Sequence, residues 1–307
     1  MTQPDRPAGR GQRLQPTPVK AAALALGIPV IEPARLREAI LRLAAERADL
    51  FAVASYGKIV PKAVLDLVPV ALNVHPSLLP LYRGATPLQS QLLAGVTESG
   101  VTIIAMDAGM DTGDVVLAER QPIAAQETYG ELHDRFARLG AALLARAVAQ
   151  AASGSLVRTP QAQLGDAAAT RRTVTRPLVK DDLRVELAWE PERIARAVRA
   201  FAPQPLARAC VAGEDVKLAR ARVMRGVEHA RLLASATLGR FAASGVRDGE
   251  ADGVISLSIL AAEPQAIVVA GVEASLVIDR VVPPSRGEMP AADYLRALIR
   301  RAGASPA

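Results

Sequence analysis

Between residues 19 and 152 short apolar runs alternate with amphipathic stretches, and this alternation narrows the fold more than any other feature of the chain. DLFAVASYG (49–57), PVALNVH (69–75), VTIIAMD (101–107) and VVLAERQPI (115–123) have the character of strands, and IPVIEP (28–33) reads as a briefer one. Around them VKAAALALG (closed by Gly27), ARLREAILRLAAER, PKAVLDLV, LQSQLLAG and the long ETYGELHDRFARLGAALLARAVAQA read as helices. Strands separated by helices pair through crossovers. The expectation is an α/β fold with a doubly wound, mostly parallel sheet.

The pattern changes after Gly154. Residues 158–184 are polar and extended, with Arg171, Arg172, Arg176, Lys180 and Arg184, and read as a linker. A helix follows in PERIARAVRAFA. Then come short strands separated by Gly and Asp: ARACVAG, EDVKLARARVM, GVISLSI, AIVVAG and ASLVIDRVV. Such strands suit a small barrel, closed by a last helix in ADYLRALIRRAG. The expected division is a domain over 1–157, a linker over 158–184 and a smaller domain over 185–307. Residues 2–20 are rich in Pro, Gly and Arg and read as a loop.

Half of the 307 residues are hydrophobic, enough for a large core, but aromatics are only 3%, so Ala, Leu and Val must fill it. One cysteine, Cys210, excludes a disulfide scaffold, a CxxC redox pair and a cysteine zinc site. His75, His133 and His229 are too scattered for an evident metal cluster, so no metal is expected. No apolar run approaches the ~20 residues of a membrane span. MTQPDRPAGRG has no apolar segment like that of a signal peptide, so a soluble cytoplasmic protein with no membrane partner is expected. The net charge of +6 sits mostly in the second half, where Arg193 to Arg231 holds nine basic residues against three acidic ones. A positive face of this kind attracts polyanions, although a solvated surface can look the same.

Ligands of open α/β sheets bind beyond the carboxyl ends of the strands. PVALNVH ends with Asn73 and His75, two apart and so on one face of a strand. VTIIAMD leads into DAGMDTGD, which carries Asp107, Asp111 and Asp114. An amide donor, an imidazole and a carboxylate in one cleft suit attack on a carbonyl. The amide stabilises an oxyanion, the imidazole moves a proton and the carboxylate orients the imidazole. None of the three is a nucleophile with its own base, which favours direct transfer between two bound substrates. The same residues also fit a hydrogen-bonded structural histidine and a turn whose aspartates cap backbone N–H groups.

NVHPSLLPLYRGATP followed by GVTIIAMDAGMDTGD closely resembles the signature of the folate-dependent formyltransferases. SYGKIVP resembles the strand–loop that precedes the catalytic Asn in that family, and RAFAPQP its hinge. The loop over residues 2–20 resembles the insertion of the branch that acts on tRNA. The resemblance implies a Rossmann-like formyltransferase domain with a smaller C-terminal OB-like β-barrel that supports tRNA. It implies Asn73, His75 and Asp111 as the catalytic triplet, with protonated His75 and Asn73 holding the oxyanion. It places Ser77, Leu78, Leu79 and Pro80 against folate and Arg6, Arg10, Arg13 and Lys20 against tRNA. The implied reaction moves the formyl group of 10-formyltetrahydrofolate, a co-substrate, to the methionine amine of initiator methionyl-tRNA, for translation initiation. A monomer is expected.

The resemblance has three departures. The family normally begins about 30 residues earlier with a further strand and helix, so unpaired backbone and uncovered apolar surface are expected beside the first strand here. Pro76 stands where closer relatives often have Gly, and Gln204 replaces an aromatic in the hinge.

Overall fold

The computed structural model describes residues 1–8, 13–211, 213–226, 228, 236–237, 257–260, 267–270 and 274–301. Two compact units emerge. The first comprises Met1–Ala85, Gly100–Gln121 and Phe136–Thr175, and the second Thr86–Ser99, Pro122–Arg135 and Arg176–Ala307.

The opening segment, expected as a loop, contains an antiparallel hairpin of β1 (Arg6–Ala8) and β2 (Arg13–Gln15). Helix α1 (Pro18–Ala25) starts with Pro18 at its first turn and with Thr17 accepting the Lys20 N–H. Gly27, with φ of 68°, closes it, and the Ile28 N–H reaches back to the Ala23 carbonyl at 2.8 Å. IPVIEP forms no strand. Pro29 and Pro33 remove backbone donors there, and the run is held by the Thr2 N–H to the Ile31 carbonyl at 3.0 Å. The expected long helix after it is shorter, a 3₁₀ turn at Leu36–Ala39 running into α2 (Ile40–Ala45). Leu36, Ala39 and Leu43 pack with Val64 of α3 (Lys62–Leu65) and with Phe51 and Tyr56.

The sheet has the order β3 (Leu50–Ala54), β4 (Val70–His75), β5 (Glu98–Ala105), β6 (Asp114–Pro122). It is mixed rather than mostly parallel. β3 and β4 run parallel, Ala54 level with Val74, whereas β4 and β5 run antiparallel, His75 opposite Thr102. β5 is buried on both faces after Glu98, which explains its mostly apolar character. Its one polar intruder near the site, Thr102, is satisfied by donating to the Ser77 carbonyl at 2.6 Å and accepting the Leu79 N–H at 3.2 Å. Helix α5 (Tyr129–Ala152) buries Leu132, Phe136, Leu143 and Ala147 in one stripe. A Cβ at Gly140 would lie 2.6 Å from a Val74 methyl, so glycine lets α5 close on that face of β4. Asn73 and His75 point to the other face. β3 is the outer strand of the sheet, with Ala52 and Ala54 exposed, and α1 has no buried residue.

The expected linker contains a 3₁₀ turn at Gln161–Gln163 and α6 (Ala167–Arg172). In the second unit, α4 (Pro87–Ala94) packs on α7 (Pro191–Phe201), which opens on Pro191 and buries Ile194, Val198 and Phe201. α7 also packs on the antiparallel sheet β7 (Ala207–Val211), β8 (Glu214–Arg225), β12 (Ala274–Val282), β11 (Ile267–Ala270), β10 (Leu257–Leu260), β9 (Ala236–Thr237). β13 (Met289–Pro290) pairs with β12 and leads into α8 (Ala291–Arg301). The described pairings form an open path of strands. Residues 229–235 and 238–256 lie outside the described residues, and with them His229, as does Arg10.

Phe136 is 2% exposed and Leu26 74% exposed, so their replacement should differ in kind. Phe136→Ala is expected to cost about 3–5 kcal/mol, and Leu26→Ser to stay within about 0.5 kcal/mol. Urea unfolding followed by circular dichroism checks this, and equal shifts would contradict the packing described.

Candidate active site

β4 ends at His75, 3% exposed, with Asn73 half-buried two residues before it. Among the described residues the Asn73 amide makes no hydrogen bond within the protein. It is therefore free to donate to a ligand. The His75 ring, by contrast, is held between two oxygens. Its Nε2 lies 2.9 Å from the Tyr82 carbonyl, which can only accept, so Nε2 carries the proton. Its Nδ1 faces the Asp111 carboxylate at 3.6 Å, an electrostatic pairing too long for a hydrogen bond.

Burial pushes the His75 imidazole below its ordinary pKa, and the charge of Arg83 adds to the effect. Asp111 and the Tyr82 carbonyl oppose it without overcoming it. The resting ring is neutral at neutral pH, with a basic lone pair on Nδ1. A proton taken up there creates an imidazolium beside a carboxylate already in place.

Asp111 is fixed from three directions. Its backbone is left-handed, with φ of 56°, which Asp tolerates better than most residues. The Gly84 N–H donates to its Oδ2 at 2.9 Å, the same oxygen that faces His75. Gln161 donates to the Asp111 carbonyl at 2.9 Å and the Gly113 carbonyl at 2.7 Å. Arg83 in turn donates twice to the Gln161 carbonyl oxygen, at 3.0 and 2.7 Å. Gly84 has φ of 107°, and a Cβ there would lie 2.2 Å from the Thr175 carbonyl, so only glycine fits. The turn is tied down from residues 173–175. Thr173 Oγ1 accepts the Tyr82 N–H at 3.1 Å, and the Thr175 N–H donates to the Arg83 carbonyl at 2.8 Å.

Asp107 serves the loop itself, accepting from the Gly109 N–H and the Thr112 hydroxyl at 3.0 and 2.6 Å. Asp114 begins β6. Of the SLLP segment, Ser77 is fully buried and donates to the Leu81 carbonyl at 2.7 Å. Leu79 packs with Ile104 and Val115, and Pro80 is buried, leaving Leu78 as the partly exposed side chain. Among the described residues no group of three or more His, Cys, Asp and Glu is placed to hold a metal ion.

The basic candidates separate. Arg6 and Arg13 are exposed and share one face of the β1–β2 hairpin, since Arg6 lies opposite Gln15 and Arg13 opposite Ala8. Lys20 is engaged internally, bonded to Asp5 at 2.9 Å and Glu32 at 2.8 Å, and these partners, Glu32 foremost, raise its pKa. The basic stretch after Arg193 is likewise mostly occupied. Arg208, Arg222 and Arg225 pair with Asp215, Asp279 and Glu192, Arg193 stacks on Trp189, and Arg199 donates to the Glu127 carbonyl. Lys217 and Arg220 have no hydrogen-bonded or ion-paired partner among the described residues.

Sequence reasoning missed Gln161, Thr173 and Thr175. They sit in a polar stretch without period, and no pattern marked them. Arg83 and Gly84 lay inside a quoted motif without an assigned task.

With its folded pKa below the ordinary imidazole value of about 6.5, His75 leaves the unfolded chain binding more protons just below that pH. Its contribution to stability is present above about 6.5 and lost as pH falls toward the folded value. The stability difference between wild type and His75→Gln should therefore shrink from pH 7.5 to 5.5, as read by urea midpoints. A difference independent of pH would contradict the burial effect.

Two family models match the chain, formyl transferase over residues 1–148 and the formyl transferase C-terminal domain over residues 177–298. The methionyl-tRNA formyltransferase of Stutzerimonas stutzeri is 45% identical over 228 residues, 73% of this chain and 71% of that protein. That of Xanthomonas campestris pv. campestris is 48% identical over 220 residues, 71% of this chain and 70% of that protein. HypX from Aquifex aeolicus, solved in complex with tetrahydrofolic acid, shares the fold with a TM-score of 0.57 at 17% identity, over 86% of this chain and 41% of that one. At these identities and coverages of the first two relatives, the chain belongs to the methionyl-tRNA formyltransferase family.

Proposed function

We propose that this chain transfers the formyl group of 10-formyltetrahydrofolate to the methionine amine of initiator methionyl-tRNA. The observation that carries the reading is the pairing of a free Asn73 amide with a neutral, buried His75 facing Asp111. Folate supplies the activated one-carbon unit, and the partly exposed Leu78 offers an apolar contact to a flat ring system.

In this reading the Asn73 N–H donates to the formyl oxygen as negative charge grows on it. His75 takes the proton shed by the attacking amine at Nδ1, and the imidazolium formed is stabilised by Asp111 and opposes the charge on the oxyanion. When the oxyanion collapses, the bond from the formyl carbon to N10 of the folate breaks, that nitrogen takes the proton from His75, and tetrahydrofolate leaves with the imidazole neutral again. Protonation of His75 thus belongs to the reaction and not to the resting state. Residues 1–157 supply this chemistry and 185–307 support the tRNA, with 158–184 joining them. Arg6, Arg10 and Arg13 meet phosphates, and Lys20 holds the base of the hairpin through Asp5 and Glu32. The chain acts as a cytoplasmic monomer; among the described residues no helix is long and apolar enough to cross a membrane.

Formyl transfer to methionine-charged initiator tRNA tests the reading. Wild type should transfer. Asn73→Ala should lose about 10²–10³-fold in turnover and His75→Ala about 10²–10⁴-fold, with circular dichroism unchanged. Near-wild-type turnover in His75→Ala would overturn the mechanism.

A further inference from the structure

The first unit carries an open groove of about 390 Å³ whose lining includes Arg35, Arg37, Lys58 and Ile59. Arg35, Arg37 and Lys58 are all exposed, and three cations around one groove leave a positive potential there that attracts anions. The fold supplies little balance here. Among the described residues neither guanidinium has a hydrogen bond or an ion pair, and Lys58 donates only to the Ala34 carbonyl at 3.3 Å. The carboxylate nearest in sequence, Glu38, accepts the Arg35 backbone N–H at 3.2 Å. Other lysines of the same unit are paired, Lys20 with Asp5 and Glu32, and Lys62 with Asp66.

The position of the groove indicates its ligand. β3 and β4 are parallel with Ala54 level with Val74, so β3 leaves the sheet at the end where His75 sits. Lys58 follows four residues after Ala54. The base of the β1–β2 hairpin is tied to the same loop, because Gln3 donates to the Tyr56 carbonyl at 2.6 Å and accepts from Arg6. The face that carries Arg6 and Arg13 and the groove of Arg35, Arg37 and Lys58 are thus linked through one loop, and several separate cations suit a chain of phosphates better than a single anion.

We infer that the groove of Arg35, Arg37 and Lys58 binds backbone phosphates of the RNA acceptor, an assignment that rests on the acceptor reading above. The test measures binding of wild type and the Arg35→Ala/Arg37→Ala/Lys58→Ala variant to methionyl-tRNA between 50 and 200 mM salt. Inorganic pyrophosphate serves as competitor, and formyl transfer and circular dichroism are read on the same samples. Each lost phosphate contact should lower the slope of log affinity against log salt by about 0.7–0.9, so the triple variant should lose about 2–3 units of slope while folate affinity stays unchanged. Single Arg37→Ala and Lys58→Ala variants should each lose about one unit, and Arg37→Lys, which keeps the charge, should retain most of it.

An unchanged slope in a folded triple variant overturns the groove while leaving transfer by wild type, and so the acceptor reading, intact. Salt-dependent binding without transfer by wild type removes the acceptor reading and leaves an RNA-phosphate groove. Pyrophosphate that binds wild type and the triple variant alike, without displacing tRNA, also overturns the proposal.

Discussion

Everything at this site depends on holding one carboxylate oxygen against one buried imidazole. Asp111 Oδ2 accepts the Gly84 N–H and faces His75 Nδ1 at 3.6 Å, so one backbone donor sets the distance between the two titratable groups. A half-buried aspartate does not hold such a position unaided, and a left-handed backbone adds about 1–2 kcal/mol of strain for most residues. Gln161 offsets this by bridging the carbonyls of Asp111 and Gly113 while being gripped by Arg83. The clamp lets burial keep the imidazole neutral without losing the partner it needs once protonated.

The same clamp explains what was legible in the sequence. Asn73 and His75 were visible because a strand has a period of two and the apolar run ends on polar residues. Asp111 was visible through a loop motif. Gln161, Thr173 and Thr175 reach the site from 50 to 92 positions away, through hydrogen bonds that leave no pattern along the chain. Strand direction was also hidden. Alternating strands and helices suggested crossovers throughout, yet β5 runs antiparallel to β4, because after α4 the chain re-enters the sheet at the end where β4 leaves it, with no crossover to the opposite end. IPVIEP failed as a strand for a reason present in the sequence, its two prolines.

Charge needed the structure most. A count of basic residues treats every arginine alike, whereas in the folded chain Arg208, Arg222 and Arg225 are bound to acids and Arg193 to an indole face. Lys20, expected to meet tRNA, has two carboxylate partners, while Arg35, Arg37 and Lys58, none of them given a task by the sequence, have none among the described residues. Long-range attraction depends on the cations left over after internal pairing. Among the described residues those include Arg13 on the hairpin, Arg35 and Arg37 at the groove, Lys217, and also Arg42, Arg47 and Arg138.

The account rests on a neutral His75 protonated at Nε2 and poised against Asp111. The most direct measurement is a pH titration of the His75 ring-nitrogen shifts by NMR, in wild type and in Asp111→Asn. The account predicts an Nε2–H tautomer at neutral pH with a midpoint below about 6.5, falling further when the Asp111 charge is removed. A midpoint at or above the ordinary value, unmoved in Asp111→Asn, would contradict it.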